Sequence, residues 1–235
     1  MQVTTLESSP PAKTTILIVD DHPILRRGLA ALINFEPDLI VCGDAADYPT
    51  AFEAIKTHQP DLIIVDLELG GRDGLDLVKD TKSRYPLIPM LVLTMHDESV
   101  YAERSLRAGA AGYITKQQLD ETLLIAIRCV LAGEIYMSDQ LQVQLATKCL
   151  GRKIIAPDSP QDSLTDRELQ VFRLIGEGRT TRQIAKDLSL SIKTIESHRE
   201  HIKSKLSIKS AAQLAQRATL WTENCNSGLC TALLY

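Results

Sequence analysis

The run Leu62-Ile63-Ile64-Val65-Asp66 sets four apolar residues, three of them β-branched, in front of a carboxylate. It shows no alternation of polar and apolar positions, so it reads as a strand covered on both faces, the pattern of a parallel sheet. Leu67-Glu68-Leu69-Gly70-Gly71-Arg72 then turns to loop chemistry, and Asp73-Ser83 takes up a helical period. Strand, acid, loop and helix make one β–α unit.

The same unit recurs on either side. Strand-like runs fall at Thr15-Asp20, Leu39-Asp44, Asp61-Asp66, Met90-Thr94 and Gly112-Thr115, with helical patterns at Pro23-Phe35, Tyr48-Thr57, Asp73-Ser83, Ser99-Ala108 and Gln118-Ala132. Because parallel neighbours need a crossover and each crossover here is a helix, the expected fold is α/β, a doubly wound five-stranded parallel sheet with helices on both faces. In such sheets the site lies beyond the carboxyl ends of the strands. Those ends carry Asp20-Asp21, Asp66, Thr94 and, one residue on, Lys116. One acid at a strand end is commonly a solvated loop residue or a helix cap, but this set converges on one edge from four strands. Crowded carboxylates repel, and a hard divalent cation with oxygen ligands, Mg²⁺ by preference, relieves them. A lysine beside them suits a phosphoryl oxygen.

The chain has 235 residues, which favours two modest domains over one large one, and its 44% hydrophobic content excludes a disordered chain. No apolar stretch reaches the roughly 18 residues of a membrane-spanning helix. Cys42, Cys129, Cys149, Cys225 and Cys230 are odd in number and form no C-x-x-C pair, which speaks against a disulfide framework or a zinc site and for a reducing, cytoplasmic compartment. Residues 1–13 read as a flexible leader. The net charge of −4 conceals a split: from Gly151 onward there are 13 Lys+Arg against 9 Asp+Glu, leaving 13 against 21 before it. An acidic first part and a basic second part suggest two jobs.

Val19-Asp20-Asp21-His22-Pro23, Val65-Asp66-Leu67-Glu68-Leu69-Gly70-Gly71-Arg72-Asp73-Gly74, Leu93-Thr94 and Ala110-Ala111-Gly112-Tyr113-Ile114-Thr115-Lys116 together resemble the signature of bacterial response-regulator receiver domains, which are flavodoxin-like. The resemblance covers roughly Thr14 to Ala132, within a receiver domain expected over residues 14–134. It implies that Asp66 accepts a phosphoryl group from a sensor histidine kinase. It also implies that Asp20, Asp21, Asp66 and the backbone carbonyl of Glu68 hold Mg²⁺, with Asp20 acting through water, that Thr94 and Lys116 contact phosphoryl oxygens, and that Thr94 and Tyr113 move inward as a switch. Two departures, Gly70-Gly71 in place of the common Pro-Gly and Gln117 in place of a proline, bear on loop rigidity and remove no chemical group.

Residues 135–163 read as a linker with a helix near 138–150, ending in the turn-forming Pro157, Asp158, Ser159 and Pro160. After it, residues 164–219 form a small all-α domain. Thr165 and Glu168 have capping-box spacing, a helix follows to Gly176, and Thr180-Leu188 leads through a turn at Ser189-Leu190-Ser191 into Ile192-Lys205. Ile192, Ile195, Ile202 and Leu206 share one stripe of that helix and leave a polar face free, as a helix lying in a major groove requires.

The string Leu164-Thr165, Arg167-Glu168, Gly178, Gln183-Ile184-Ala185, Lys193-Thr194-Ile195-Glu196-Ser197-His198, Ile202 and Lys205-Leu206 resembles the LuxR-type helix-turn-helix. Both halves together resemble the NarL/FixJ type of response regulator. The implied partners are a cognate kinase, double-stranded promoter DNA and a second copy of the chain, and no membrane. The implied activity is limited to the receiver's own phosphorylation and dephosphorylation; a Mg²⁺-dependent phosphatase would have no use for the second domain. By position Glu196, Ser197 and Glu200 resemble base-reading sites, while Lys193, Thr194, Arg199, Lys203 and Lys205 suit phosphates. Glu196 and Glu200 equally suit ion pairs with Arg199 or Lys203. The last helix, Ser210-Thr219, corresponds to one associated with dimer contacts, and 220–235 forms a tail with no reading.

Overall fold

The computed structural model describes residues 13–69, 72–119, 121–149 and 163–226. All but the last residue of the leader, Gly70-Gly71, the proline-bearing part of the linker and the end of the tail lie outside these. Strands β1 (Thr14–Val19), β2 (Leu39–Ala45) and β3 (Leu62–Val65) are followed by a short hairpin, β4 (Glu68–Leu69) and β5 (Arg72–Asp73), and by β6 (Met90–Thr94) and β7 (Gly112–Thr115). The five long strands form one parallel sheet in the order β2-β1-β3-β6-β7. The order reverses between β1 and β3, so the crevice of the sheet opens beyond Val19 and Val65, where Asp20 and Asp66 follow.

Alternation along the strands sorts the core into two layers. Ile16, Ile18, Leu62, Ile64, Leu91, Leu93 and Ile114 face Leu29 and Ile33 of α1 (Pro23–Asn34) and Leu123 and Ile127 of α5 (Glu121–Leu131). Leu17, Val19, Ile63, Val65, Val92 and Tyr113 face α2 (Tyr48–His58), α3 (Gly74–Arg84) and α4 (Glu98–Ala108). The inner strands β1, β3 and β6 are buried on both faces because each layer is covered by helices, which is why Leu62-Val65 carries no polar residue, whereas the edge strand β2 is buried only at its ends. Side chains of Asp47, Asp73 and Asp97 cap α2, α3 and α4 by accepting from backbone N–H groups of the first turn.

Two stretches read as connectors are part of the packed body. Gly112 forms an isolated parallel bridge with Tyr136, the Tyr113 N–H donates to the Tyr136 carbonyl, and Tyr136 N–H donates to Ala111. Residues 135–138 thus extend the edge of the sheet beside β7, and α6 (Asp139–Cys149) lays Leu141 into the core. The linker expected from residue 135 is therefore structured up to Cys149.

In the second unit, α7 (Asp166–Gly176), α8 (Thr181–Asp187), α9 (Ile192–Lys205) and α10 (Ala211–Asn226) enclose Leu169, Phe172, Ile184, Ile195, Ile202 and Leu214. The capping box forms as the spacing predicts: the Thr165 hydroxyl accepts from the Glu168 N–H, and the Thr165 N–H donates to the Glu168 carboxylate at 2.8 Å. The last helix does not stop at Thr219. Leu214, Ala218 and Trp221 continue one stripe, and the Trp221 ring packs on Phe172 with centroids 5.6 Å apart, so burial of the indole carries the helix to Asn226. Gly176 permits the close crossing of α7 and α10, since a Cβ there would lie 2.1 Å from Thr222 Oγ1 and 2.5 Å from the Ala218 carbonyl.

Candidate functional site

The sheet brings the predicted residues together. Asp20 and Asp66 are each 2% exposed, and Thr94 is fully buried beside them. Lys116 Nζ lies 2.6 Å from Asp20 Oδ2 and 2.6 Å from Asp66 Oδ2, bridging the two acids. His22 closes the rim, with Nδ1 2.6 Å from Asp21 Oδ1 and its backbone N–H donating to Asp20 Oδ1 at 2.7 Å. Arg26, which the sequence did not single out, donates to the Asp20 backbone carbonyl at 2.7 Å and so fixes the acid-bearing turn.

Burial pushes the Asp66 carboxyl up from the usual carboxylate range; the Lys116 ammonium opposes that shift, and Asp20 adds to it by repulsion. Burial also works against the Lys116 charge, but Asp20 and Asp66 outweigh it and hold the ammonium more basic than an ordinary lysine. Asp66 Oδ1 is buried without a hydrogen-bond partner. Ligand atoms of Asp20, Asp21, His22 and Asp66 all lie within 4.8 Å of one another. An orphaned carboxylate oxygen among closely spaced oxygen donors fits a hard divalent cation. Asp20, Asp21 and Asp66 are the residues that could supply its side-chain oxygens.

Tyr113 points into the core, its hydroxyl donating to the His96 carbonyl at 2.9 Å, and its ring is 1% exposed. His96 stacks on Tyr101 with centroids 4.5 Å apart. Burial first, then Arg173 and Lys116, push the His96 imidazole down to about 3 against the opposing Glu68 carboxylate, so the ring is neutral. His96 and Arg173 carry no periodicity or motif signal in the sequence; only the folded chain brings them to Glu68, in the loop after Asp66.

Asp73, the N-cap of α3, accepts from the Leu75 N–H at 3.0 Å and is 6% exposed. Burial pushes its carboxyl up to about 6, although the Leu75 N–H works the other way. The folded value lies above the unfolded value of about 3.9. Its contribution to stability is therefore complete below that unfolded value, falls as pH rises through about 6, and is constant above. Asp73→Asn, which keeps the capping oxygen, should gain on the order of 2 kcal/mol over wild type in urea unfolding at pH 7.5 and almost nothing at pH 4. Equal gains at both pH values would refute the account.

The recognition-like helix α9 buries Ile195 and Ile202 and exposes Lys193, Glu196, Ser197 and Glu200. Arg199 and Lys203 are half-buried. The Thr194 backbone N–H donates to the capping Ser191 hydroxyl at 3.0 Å, and the two hydroxyls lie 2.7 Å apart. Lys203 pairs with Glu200 at 2.8 Å. Lys205 lies 2.6 Å from Glu168 and ties the end of α9 to the start of α7. In this arrangement it serves the helix packing, leaving Lys193 as the exposed cation at the start of the helix.

Comparison with known proteins agrees with this geometry. Residues 16–128 match the response regulator receiver domain model, and residues 162–218 match the model of bacterial regulatory proteins of the luxR family. The chain is similar to the oxygen regulatory protein NreC of Staphylococcus haemolyticus (strain JCSC1435), 37% identical over 86% of this chain and 95% of that protein. It is also similar to RcsB from Salmonella enterica serovar Typhimurium, solved bound to promoter P1flhDC in the presence of phosphomimetic BeF3-, with 25% identity, a TM-score of 0.63, and coverage of 88% of this chain and 99% of that one. A further RcsB structure, of two dimers bound to two parallel DNAs, shares 26% identity with a TM-score of 0.59, covering 87% and 97%. No helix among the described residues is long and apolar enough to cross a membrane. With an acid-lined receiver sheet followed by a LuxR-type helix-turn-helix, the chain belongs to the two-component response regulators that control transcription.

Proposed function

We propose that this response regulator takes a phosphoryl group on Asp66 from a sensor histidine kinase in the cytoplasm and then binds promoter DNA as a dimer. The observation that carries the reading is the buried, unpartnered Asp66 Oδ1 beside a lysine held at 2.6 Å. In the transfer, the N–P bond of a phosphohistidine breaks, an O–P bond forms to Asp66, and the imidazole leaves. Such a reaction depends on positioning and charge neutralisation more than on covalent assistance. Asp66 offers the attacking oxygen, and Lys116 and Thr94 face the phosphoryl oxygens. Mg²⁺, when held by Asp20, Asp21, Asp66 and the backbone carbonyl of Glu68, with Asp20 acting through water, neutralises charge on the transferred group. The added charge is read by Thr94 and Tyr113. The chain acts only on its own aspartyl phosphate.

The basic charge of the second unit and the exposed face of α9 support DNA binding, and the RcsB complexes support a dimer on DNA. Lys193, Thr194, Arg199, Lys203 and Lys205 are assigned to backbone phosphates, with Lys205 first released from Glu168. Glu196, Ser197 and Glu200 are assigned to base edges, where a glutamate accepts from a cytosine amino group.

Full-length protein incubated with acetyl phosphate and Mg²⁺ should gain the mass of one phosphoryl group, and none in EDTA. The modified protein should bind promoter fragments more tightly, with affinity falling steeply as salt rises. An unchanged mass would overturn the acceptor reading; unchanged DNA retention would overturn the switch.

A further inference from the structure

His22 follows the acid pair and stands at the N-cap of α1, yet its side chain caps nothing: no hydrogen bond joins it to the first turn of the helix. The ring turns back over the acids instead. Its Nδ1 lies 2.6 Å from Asp21 Oδ1 and 3.3 Å from Asp20 Oδ1. Asp21 Oδ1 is nevertheless buried without a hydrogen-bond partner, so no ring N–H is directed along that short line. An imidazole nitrogen and a carboxylate oxygen held this way are donors suited to one shared cation. Asp66 Oδ1, in a residue 2% exposed, is another buried oxygen left open in the same group, whose ligand atoms all lie within 4.8 Å of one another.

The surrounding contacts hold this arrangement in place. The His22 backbone N–H donates to Asp20 Oδ1 at 2.7 Å. Arg26, one turn along α1, donates from Nη1 to the Asp20 carbonyl at 2.7 Å and from Nε to Asp44 Oδ2 at 2.6 Å. The donor atoms are thus positioned before a cation arrives. Three carboxylates alone make a hard oxygen site of the kind Mg²⁺ prefers. An imidazole nitrogen adds little for Mg²⁺ but favours first-row transition-metal dications such as Fe²⁺, Co²⁺, Ni²⁺ and Zn²⁺.

We infer that His22 is a fourth ligand residue of the acid site, through which the receiver selects a first-row transition-metal dication over Mg²⁺. This rests on the reading of Asp20, Asp21 and Asp66 as cation ligands. The nitrogen changes which ion neutralises the transferred phosphoryl group and leaves the acceptor itself unchanged.

Binding is measured on the full chain, free of any histidine tag and with no phosphodonor. Calorimetric titration with Co²⁺, repeated in the presence of Mg²⁺, gives the ratio of the two affinities. His22→Gln and His22→Ala should each lower the Co²⁺ to Mg²⁺ ratio about tenfold, the low end of what losing a group that serves a metal site costs. Because His22 makes no capping bond, neither substitution removes a helix contact. Proton NMR of Co²⁺-loaded wild type should show a strongly shifted imidazole N–H resonance that His22→Gln lacks. Asp21→Asn should weaken Co²⁺ as well, which locates the ion among the acids. An unchanged ratio in both His22 variants overturns the assignment. So does a rise in both affinities alike, which would make the ring only a counter-ion of Asp21. Unaltered Co²⁺ binding in Asp21→Asn overturns it too, since the ion then sits elsewhere. If wild type binds neither ion, the cation reading fails with it; if Mg²⁺ binds and supports phosphoryl uptake while the His22 variants keep the wild-type ratio, only the role of His22 fails.

Discussion

Asp66→Asn should abolish phosphoryl uptake from acetyl phosphate while leaving the fold at least as stable as wild type. The amide has no free electron pair of carboxylate character to form the O–P bond, and the other fully buried acid of the pocket, Asp20, has its Oδ2 beside the Lys116 ammonium at 2.6 Å and its Oδ1 on the His22 N–H. The stability half follows from electrostatics. Burial and Asp20 both raise the free energy of the charged Asp66 side chain, and Lys116 offsets them only in part, so its carboxyl is pushed up. In the variant Lys116 keeps its contact with Asp20 at 2.6 Å and is not left as a lone buried charge. Mass spectrometry and urea unfolding in EDTA check the two halves separately. Residual phosphorylation would show that another group accepts the phosphoryl. A loss of more than about 2 kcal/mol would show that the Asp66–Lys116 pair stabilises the fold.

Gly74→Ala should damage both stability and chemistry. A Cβ built on Gly74 would lie 2.2 Å from the Asp66 carbonyl oxygen, 2.6 Å from Leu67 Cα and 3.0 Å from the Asp66 carbonyl carbon. All three are backbone atoms, so no side chain can swing aside. The Gly74 N–H also donates to the Leu67 carbonyl at 2.9 Å, which ties the start of α3 to the loop that the methyl group would push away. Overpacking of this kind costs about 1–3 kcal/mol or more. Relief comes only by moving the peptide that carries the acceptor, and a displacement near 1 Å costs about a hundredfold in a reaction governed by positioning. Urea midpoints and uptake rates should both fall. A variant that keeps wild-type uptake would show that the acceptor loop tolerates the shift.

The receiver half was highly legible. Met90-Thr94 and Gly112-Thr115 match the strands residue for residue, and the other three differ by one residue at one end or at both. Burial on both faces leaves little room for anything but apolar β-branched residues there. The hairpin of Glu68–Leu69 with Arg72–Asp73 was not legible, because two residues per strand hold no period. Nor were Tyr136 as a sheet-edge partner and Trp221 as a core residue. They lie in segments read as a linker and as a tail, and their place depends on an open edge or groove elsewhere.

In the DNA-binding half, the Thr165–Glu168 capping box and the burial of Ile195, Ile202 and Leu206 followed from local spacing, whereas Ile192, expected on the same stripe, is 44% exposed at the start of α9. The partner of Lys205 did not: a lysine near a helix end reads as free cation until Glu168, on another helix, is found beside it.

The five β–α units, the acids at their ends and the helix-turn-helix are legible along the chain, since each depends on a period or a spacing within a few residues. That Lys116 bridges Asp20 and Asp66, that Gly74 lies against the Asp66 backbone, and that Arg173 holds Glu68 across the two domains emerges from the fold. Those contacts join residues far apart in the chain. Coulomb attraction and close packing depend on distance in space, and local sequence patterns do not encode that distance.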